Sequence, residues 1–331
     1  MSVLVKINQL ERLIPVRKNL FSRQADKYVH AIDGVNLEIF ENETLALVGE
    51  SGCGKSTLAK TLINLVPSTG GSFTFSEIDI TRLNKRELHE MRQNMQIIFQ
   101  DVGASLNPRK TVEQILMQPL RVYHPKLKIQ KLRSLVQEQL VTVGLEPPKN
   151  FIHRYPHEFS GGQRQRIGIA RALMLSPKFI IADEPVSALD VSIRGQILNL
   201  FLELKERYEL TYLFITHDLS VVRSIADRIA VMYLGKIVEI APVEEFFSTP
   251  KHPYPQAILS TTPIADPKLS RSRNVIILKD EPPSPIDIPS GCRFHTRCPN
   301  AMDICGQLEP KMVNCGNEHF VACHLYNEEK P

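Results

Sequence analysis

Gly49-Glu50-Ser51-Gly52-Cys53-Gly54-Lys55-Ser56-Thr57 fits the pattern G-x-x-x-x-G-K-[ST], and its surroundings decide the fold. Ahead of it runs Thr44-Leu45-Ala46-Leu47-Val48, apolar and short, which reads as a buried strand. Behind it, Thr57-Leu58-Ala59-Lys60-Thr61-Leu62-Ile63 reads as a helix. Strand, glycine loop and helix are what phosphate binding needs. Glycines let successive N–H groups turn inward around phosphate oxygens, and the helix N-terminus adds positive potential. Lys55 reaches the β and γ phosphates, and the Ser56 hydroxyl serves as a Mg²⁺ ligand. The nucleotide-binding residues expected here are Gly49, Ser51, Gly52, Cys53, Gly54, Lys55, Ser56 and Thr57, with Cys53 at an unconstrained position of the pattern.

Outward from the loop, the chain alternates strands with helices. Met95–Phe99, Phe179–Ala182 and Tyr212–Thr216 read as buried strands, and Ile193–Tyr208 as an amphipathic helix. Apolar residues at three- and four-residue spacing predict helix from Lys110 to about Leu145. That rhythm means an α/β protein with a mostly parallel sheet and helices packed on it. After about Thr249 the chain becomes proline-rich, with Pro250, Pro253, Pro255, Pro263, Pro267 and Pro282 among others, and predicts a linker and a small irregular module.

The strand Phe179–Ala182 ends in Asp183-Glu184, a carboxylate pair at the carboxyl end of a buried strand, where open α/β sheets bind ligands. Asp183 suits the Mg²⁺ shell and Glu184 a general base on the attacking water; the plain alternative is a helix-capping acidic pair. His217 follows the next strand in the same way. Ser160-Gly161-Gly162-Gln163 precedes a helical pattern, a second glycine-softened helix start and so a second anion site in one chain.

Composition narrows the field. The chain has 331 residues and a net charge of +4 without a long basic block, which argues against a dedicated nucleic-acid binder. At that length a main domain plus an appendage is expected, since single cores stop growing near roughly 250 to 300 residues. No apolar run approaches the roughly 20 residues of a membrane-spanning helix, and the N-terminus lacks the continuous apolar stretch of a secretory signal, so a cytoplasmic protein is expected. Cys53 stands alone, while Cys292, Cys298, Cys305, Cys315 and Cys323 crowd the tail, which in a reducing compartment favours a metal site over disulfides.

Together these motifs resemble the ATP-binding-cassette superfamily over nearly the whole chain. The resemblance implies a phosphate-loop ATPase with a helical subdomain at about 101–175 and an antiparallel β subdomain. It makes Gln100 the Q-loop glutamine and a further Mg²⁺ contact, Phe159 to Gln163 the signature with Ser160 to Gln163 binding nucleotide, Asp183 the Walker B carboxylate and Glu184 the catalytic base. By the same likeness Asp190 closes the D-loop, His217 is the switch histidine, and Tyr28 is the adenine-stacking candidate beside an ordinary surface reading. Two such cassettes dimerise head to tail with ATP between phosphate loop and signature, which accounts for two anion sites per chain.

A narrower likeness rests on Ala104-Ser-Leu-Asn-Pro-Arg109, Arg154-Tyr-Pro-His-Glu-Phe159, His252-Pro-Tyr254 and Gly291-Cys-Arg-Phe-His-Thr-Arg-Cys-Pro299. These are similar to the dipeptide/oligopeptide (and nickel) importer ATPases, second-subunit type. The likeness implies a cassette over 1–250 with an extension over 251–331, a homologous second ATPase subunit, two membrane-spanning permease subunits and an extracytoplasmic peptide-binding protein. It also implies a peripheral place at the cytoplasmic face of the inner membrane, and a [4Fe-4S] cluster on Cys292, Cys298, Cys305 and Cys323. Without the resemblance, the spacings do not choose between iron–sulfur, zinc and unligated cysteines. Val102-Gly103 and Asn42 depart from the family pattern, which favours Pro-Tyr and Gly there. The competing classes are a cassette ATPase acting on nucleic acid or the ribosome, against which stand the short stretch from Asp101 to Phe159 and the single cassette, and a metal-sensing regulator.

Overall fold

The computed structural model describes residues 2–16, 27–261, 275–278 and 281–326; Pro263 and Pro267 lie outside them. The chain forms two compact units, the first of residues 1–2, 40–44 and 82–216, the second of 3–39, 45–81 and 217–331.

In the first unit, strands Met95–Ile98, Phe179–Asp183 and Thr211–Ile215 run parallel, with Phe179–Asp183 in the middle. All five residues of the middle strand are buried, as are those of Thr211–Ile215. Burial on both faces is why these runs are continuously apolar. The stretch expected as helix from Lys110 to about Leu145 is two helices, Val112–Tyr123 and Ile129–Thr142. Pro125 lies in the break, lacking the N–H a continued helix needs. Thr111 caps the first of the two, its hydroxyl accepting from the Gln114 N–H while the Gln114 amide returns to the Thr111 N–H. Gly168 in the helix Gly161–Leu173 brings that helix against Val102, whose Cγ1 would stand 2.7 Å from a Cβ there. Asn42 sits at φ 60°, a left-handed conformation that asparagine tolerates in place of glycine, and its N–H donates to the Thr211 hydroxyl at 2.9 Å.

The second unit contains an antiparallel sheet with strands in the order Lys27–Phe40, Val3–Val16, Gly70–Phe75, Ile78–Asp79. Val5 and Ile7 point inward and Lys6 and Asn8 outward; the register slips between Asn8 and Glu11, where Gln9 has φ 46°, and Leu10 returns to the core. The phosphate-loop strand Thr44–Val48 pairs in parallel with Arg228–Tyr233, which turns back antiparallel into Lys236–Pro242.

The tail is more ordered than the proline content predicts. It carries the helix Pro253–Thr261 and two short strands, Met312–Asn314 and Phe320–Ala322, the second paired antiparallel with Lys236–Pro242. Prolines at the start of the helix cost nothing, because the first N–H groups have no intrahelical partner. Glu239, fully buried, organises the attachment: it accepts from the Lys251 and His252 N–H groups and meets His319 Nε2 at 2.7 Å. An unpaired carboxylate would not be tolerated there. The Tyr254 N–H donates to His252 Nδ1 at 3.0 Å, so the buried ring holds a neutral acceptor nitrogen.

Burial holds the His252 pKa down at about 3, against 6.5 for the free ring. Between these values the unfolded chain takes up a proton that the native ring refuses, so this residue makes stability fall as pH drops below about 6.5. The loss approaches about 1.4 kcal/mol per pH unit. Melting temperatures recorded from pH 7.5 to pH 5 should decline, and His252→Asn should flatten the decline; an unaltered slope would remove His252 from this role.

Candidate functional site

Each unit holds one half of the expected chemistry. In the second, the helix Lys55–Leu62 begins directly after the glycine loop, with Gly54 as its left-handed cap at φ 111°. A Cβ on Gly54 would lie 2.0 Å from the Ala31 carbonyl oxygen, and one on Gly49 would lie 2.2 Å from that of Met232. The loop backbone is therefore pressed against its own scaffold at these two positions. Lys55, 6% exposed, donates its ammonium to the carbonyls of Gly49 at 2.7 Å and Glu50 at 2.9 Å. Cys53 is buried beside it, its sulfur 3.7 Å from the Lys55 amine, and burial pushes the thiol pKa up. Ser51 and Gly52 are exposed, while Ser56 and Thr57 are half-buried. Tyr28 is 44% exposed near the start of its strand. His217 is exposed just after the strand Thr211–Ile215, and Asp218 caps the following helix through the Ser220 N–H at 2.9 Å.

In the first unit, the Gln100 side-chain amide donates to Glu184 Oε2 at 3.1 Å. This brings together two residues 84 positions apart, which the sequence pairs only through the family likeness. Asp183 is buried as the last residue of its strand, and Glu184, at φ 46°, turns off the strand end. Its N–H donates to the Ile215 carbonyl at 2.9 Å and its carbonyl accepts from the Ser187 hydroxyl at 3.0 Å. A non-glycine residue in this conformation stores strain of order 1–3 kcal/mol, a pattern that clusters at functional sites.

Ser160 caps the helix Gly161–Leu173, its hydroxyl accepting from the Gln163 N–H while the Gln163 amide oxygen accepts from the Ser160 N–H. The helix start is exposed at Ser160 and Gly161. A Cβ on Gly162 would stand 2.5 Å from Ile193 Cγ2, so a bare glycine lets the signature pack on the helix Val191–Tyr208. Asp190, at the N-terminus of that helix, is exposed and makes no side-chain capping bond.

Two family descriptions match: "ABC transporter" over residues 32–187 and "Oligopeptide/dipeptide transporter, C-terminal region" over residues 238–305. The oligopeptide transport ATP-binding protein AppF of Bacillus subtilis is 50% identical over 325 residues, covering 98% of each chain. The chain belongs to the ATP-binding-cassette family, in its oligopeptide transporter branch. OppF of Salmonella typhimurium is 51% identical over 300 residues, 91% of this chain and 89% of that one. Among solved structures, the post-hydrolysis dimer of the cassette MJ0796 bound to ADP and Pi superposes with a TM-score of 0.64 at 29% identity, over 72% of this chain and 99% of that one.

The expected iron–sulfur site finds no support in the geometry. Among the described residues, no group of three or more His, Cys, Asp or Glu side chains converges to hold a metal ion. The cysteines sit on separate pieces of backbone: Cys292 and Cys298 in turns, Cys305 in the 3₁₀ turn Asp303–Gly306, and Cys323 after the strand Phe320–Ala322. Burial raises the Cys292 pKa to about 11 and that of Cys323 to about 12, the latter pushed further by the charges of Cys292, Cys298 and Cys305.

Tyr254 and Arg297 bear directly on the phosphate loop, and sequence reasoning did not select either. The Glu50 N–H donates to Tyr254 Oη at 2.8 Å, and Arg297 Nη1 donates to Glu50 Oε2 at 2.9 Å. Their signal was faint: a Tyr in the His252-Pro-Tyr254 run and an Arg beside Cys298.

Gly54→Ala places a Cβ against backbone in a left-handed conformation, so neither strain nor clash can be relieved by a rotamer. Affinity for a fluorescent ATP analogue should drop by about 100-fold or more, with a lower melting temperature; wild-type affinity would contradict this reading of the loop.

Proposed function

We propose that the chain is the ATP-hydrolysing subunit of an importer for di- and oligopeptides. The observation that carries the reading is the Gln100–Glu184 contact at the end of the buried strand, in a chain that also holds an intact phosphate loop. Gln100 steers a carboxylate oxygen that, with MgATP bound, accepts the proton of the attacking water. The likeness to oligopeptide transport proteins across the extension as well as the cassette supports the cargo class.

On this reading the N–H groups and Lys55 of the loop bind the β and γ phosphates, and Tyr28 stacks on adenine. Ser56, Gln100 and Asp183 supply oxygen ligands for Mg²⁺, the chemistry that a hard divalent cation selects. Mg²⁺ supplies charge neutralisation of the phosphates. His217 acts as the switch at the γ phosphate. Ser160 to Gln163 and Asp190 serve the ATP of a partner cassette, and the exposure of Ser160 and Asp190 leaves them open to one. That partner is a homologous second ATPase subunit, and the cassette, 1–250, works on two permease subunits fed by a peptide-binding protein. Among the described residues no helix is long and apolar enough to cross a membrane, which fits a peripheral place at the cytoplasmic face.

The finer reading of the extension, 251–331, is that Cys292, Cys298, Cys305 and Cys323 bind a [4Fe-4S] cluster. The reading rests on the family likeness of the cysteine positions, and the lack of a converged ligand set among the described residues stands against it.

Glu184→Gln should bind ATP with near wild-type affinity and hydrolyse it 10²- to 10⁴-fold more slowly; wild-type turnover would take the base role from Glu184. Extraction in mild detergent should bring down polytopic membrane proteins with the tagged chain, whereas co-purifying ribosomes or nucleic acid would sink the importer reading. Protein purified without oxygen should carry about four irons per chain if the cysteines hold a cluster; iron-free protein removes it.

A further inference from the structure

Every polar group of Glu50 is engaged. Its carbonyl accepts from Lys55 at 2.9 Å, its N–H donates to Tyr254 Oη at 2.8 Å, and both carboxylate oxygens accept from Arg297 Nη1 at 2.9 and 3.2 Å. Glu50 occupies a position of the phosphate loop that phosphate chemistry leaves open. Two of these partners, Tyr254 and Arg297, come from beyond residue 250.

Those partners are themselves fixed. Tyr233, Tyr254 and Phe294 are fully buried with ring centroids 4.8 to 5.4 Å apart, Tyr233 meeting the other two edge-on and Tyr254 tilted against Phe294. The Arg297 guanidinium lies 6.0 Å from the Tyr233 ring centre and donates to its hydroxyl at 3.4 Å. The Arg297 N–H donates to the Phe294 carbonyl at 3.0 Å, in the turn that also carries Cys292 and Cys298. Arg293, in the same turn, donates to the Leu234 carbonyl and to the Asp33 carboxylate. A cavity of about 280 Å³ is lined by Glu50 to Cys53 on one side and Pro282 to Pro285 on another, so a further tail segment flanks the loop.

We propose that Arg297, together with Tyr254, is a positioning residue for the phosphate loop, so that the cysteine-bearing tail sets the affinity of the site for nucleotide. A loop with glycines at 49, 52 and 54 loses much conformational freedom when it closes on phosphates. Holding Glu50 beforehand removes part of that cost from binding. Arg297 acts through the Glu50 carboxylate, and Tyr254 acts through the Glu50 N–H. The inference rests on the nucleotide-binding reading of the loop.

The test compares wild type with Arg297→Ala, Arg297→Lys, Glu50→Gln and the double variant Glu50→Gln/Arg297→Ala in the full chain. Arg297→Ala should raise the Kd for an ATP analogue and the KM for ATP about tenfold, as expected for losing one charge-assisted hydrogen bond. The turnover at saturating ATP should move by no more than about twofold, Arg297→Lys should recover part of the affinity, and the double variant should be no weaker than either single one. In nucleotide-free protein, the amides of Gly49 to Gly54 should exchange with deuterium faster in Arg297→Ala than in wild type. Unchanged affinity and unchanged loop exchange would overturn the proposal, as would a loss of turnover with affinity intact. If Arg297→Ala does not fold, Glu50→Gln reads the same link from the loop side. A wild-type chain that fails to bind ATP would strike the function reading alone, and loop exchange in the free protein would still decide whether Arg297 holds the loop.

Discussion

The phosphate loop lies so close to its own scaffold that positions 49 and 54 have no room for a side chain. The carbonyl oxygens of Ala31 and Met232 occupy the space where side chains at positions 54 and 49 would stand. From that contact the rest of the second unit follows. The strand Thr44–Val48 must run parallel beside Arg228–Tyr233 to bring Gly49 to Met232, and the antiparallel sheet must deliver Ala31 to Gly54. Lys55 then folds back onto the carbonyls of Gly49 and Glu50, its charge satisfied by chain dipoles although the residue is buried. The net charge of +4 contributes little to anion binding on this plan, because N–H groups and one lysine do the holding.

The first unit solves a different problem, that of presenting a carboxylate at the end of a fully buried strand. Three parallel strands pair side by side, and the middle one is apolar until Asp183 and Glu184. The left-handed turn at Glu184 takes its side chain off the strand line, and Gln100, at the end of the neighbouring strand, donates to it. Glycine again decides a close approach, at Gly162, where the signature helix packs on Ile193.

The tail departs most from what its prolines suggest. Pro253 and Pro255 open a helix instead of interrupting one, and Phe320–Ala322 adds to the sheet edge at Lys236–Pro242. What ties it down is polar and buried: Glu239 with His319 and the N–H groups of Lys251 and His252, then Arg293 on Asp33 and Arg297 on Glu50. Such groups are spread along the chain at no regular spacing, so no periodic pattern reveals them. The cysteines drew attention because they cluster in sequence, yet it is the arginines between and beside them that reach the phosphate loop.

Much of the site was legible in the chain because local chemistry wrote it there. A glycine pattern between strand and helix, an acidic pair ending an apolar strand and a Ser-Gly-Gly-Gln helix start are short-range features, set by backbone geometry within a few residues. The same holds for the parallel strands, whose burial leaves continuous apolar runs. Tertiary structure alone decided which distant residues share a hydrogen bond: Gln100 with Glu184, Tyr254 and Arg297 with Glu50, His319 with Glu239. Where the tail thiols stand likewise depends on how turns and strands pack and not on the number of residues between them; among the described residues no metal-ligand group converges. A local pattern is fixed by neighbours along the chain, whereas a pairing across tens or hundreds of residues exists only once the core has brought two backbones together.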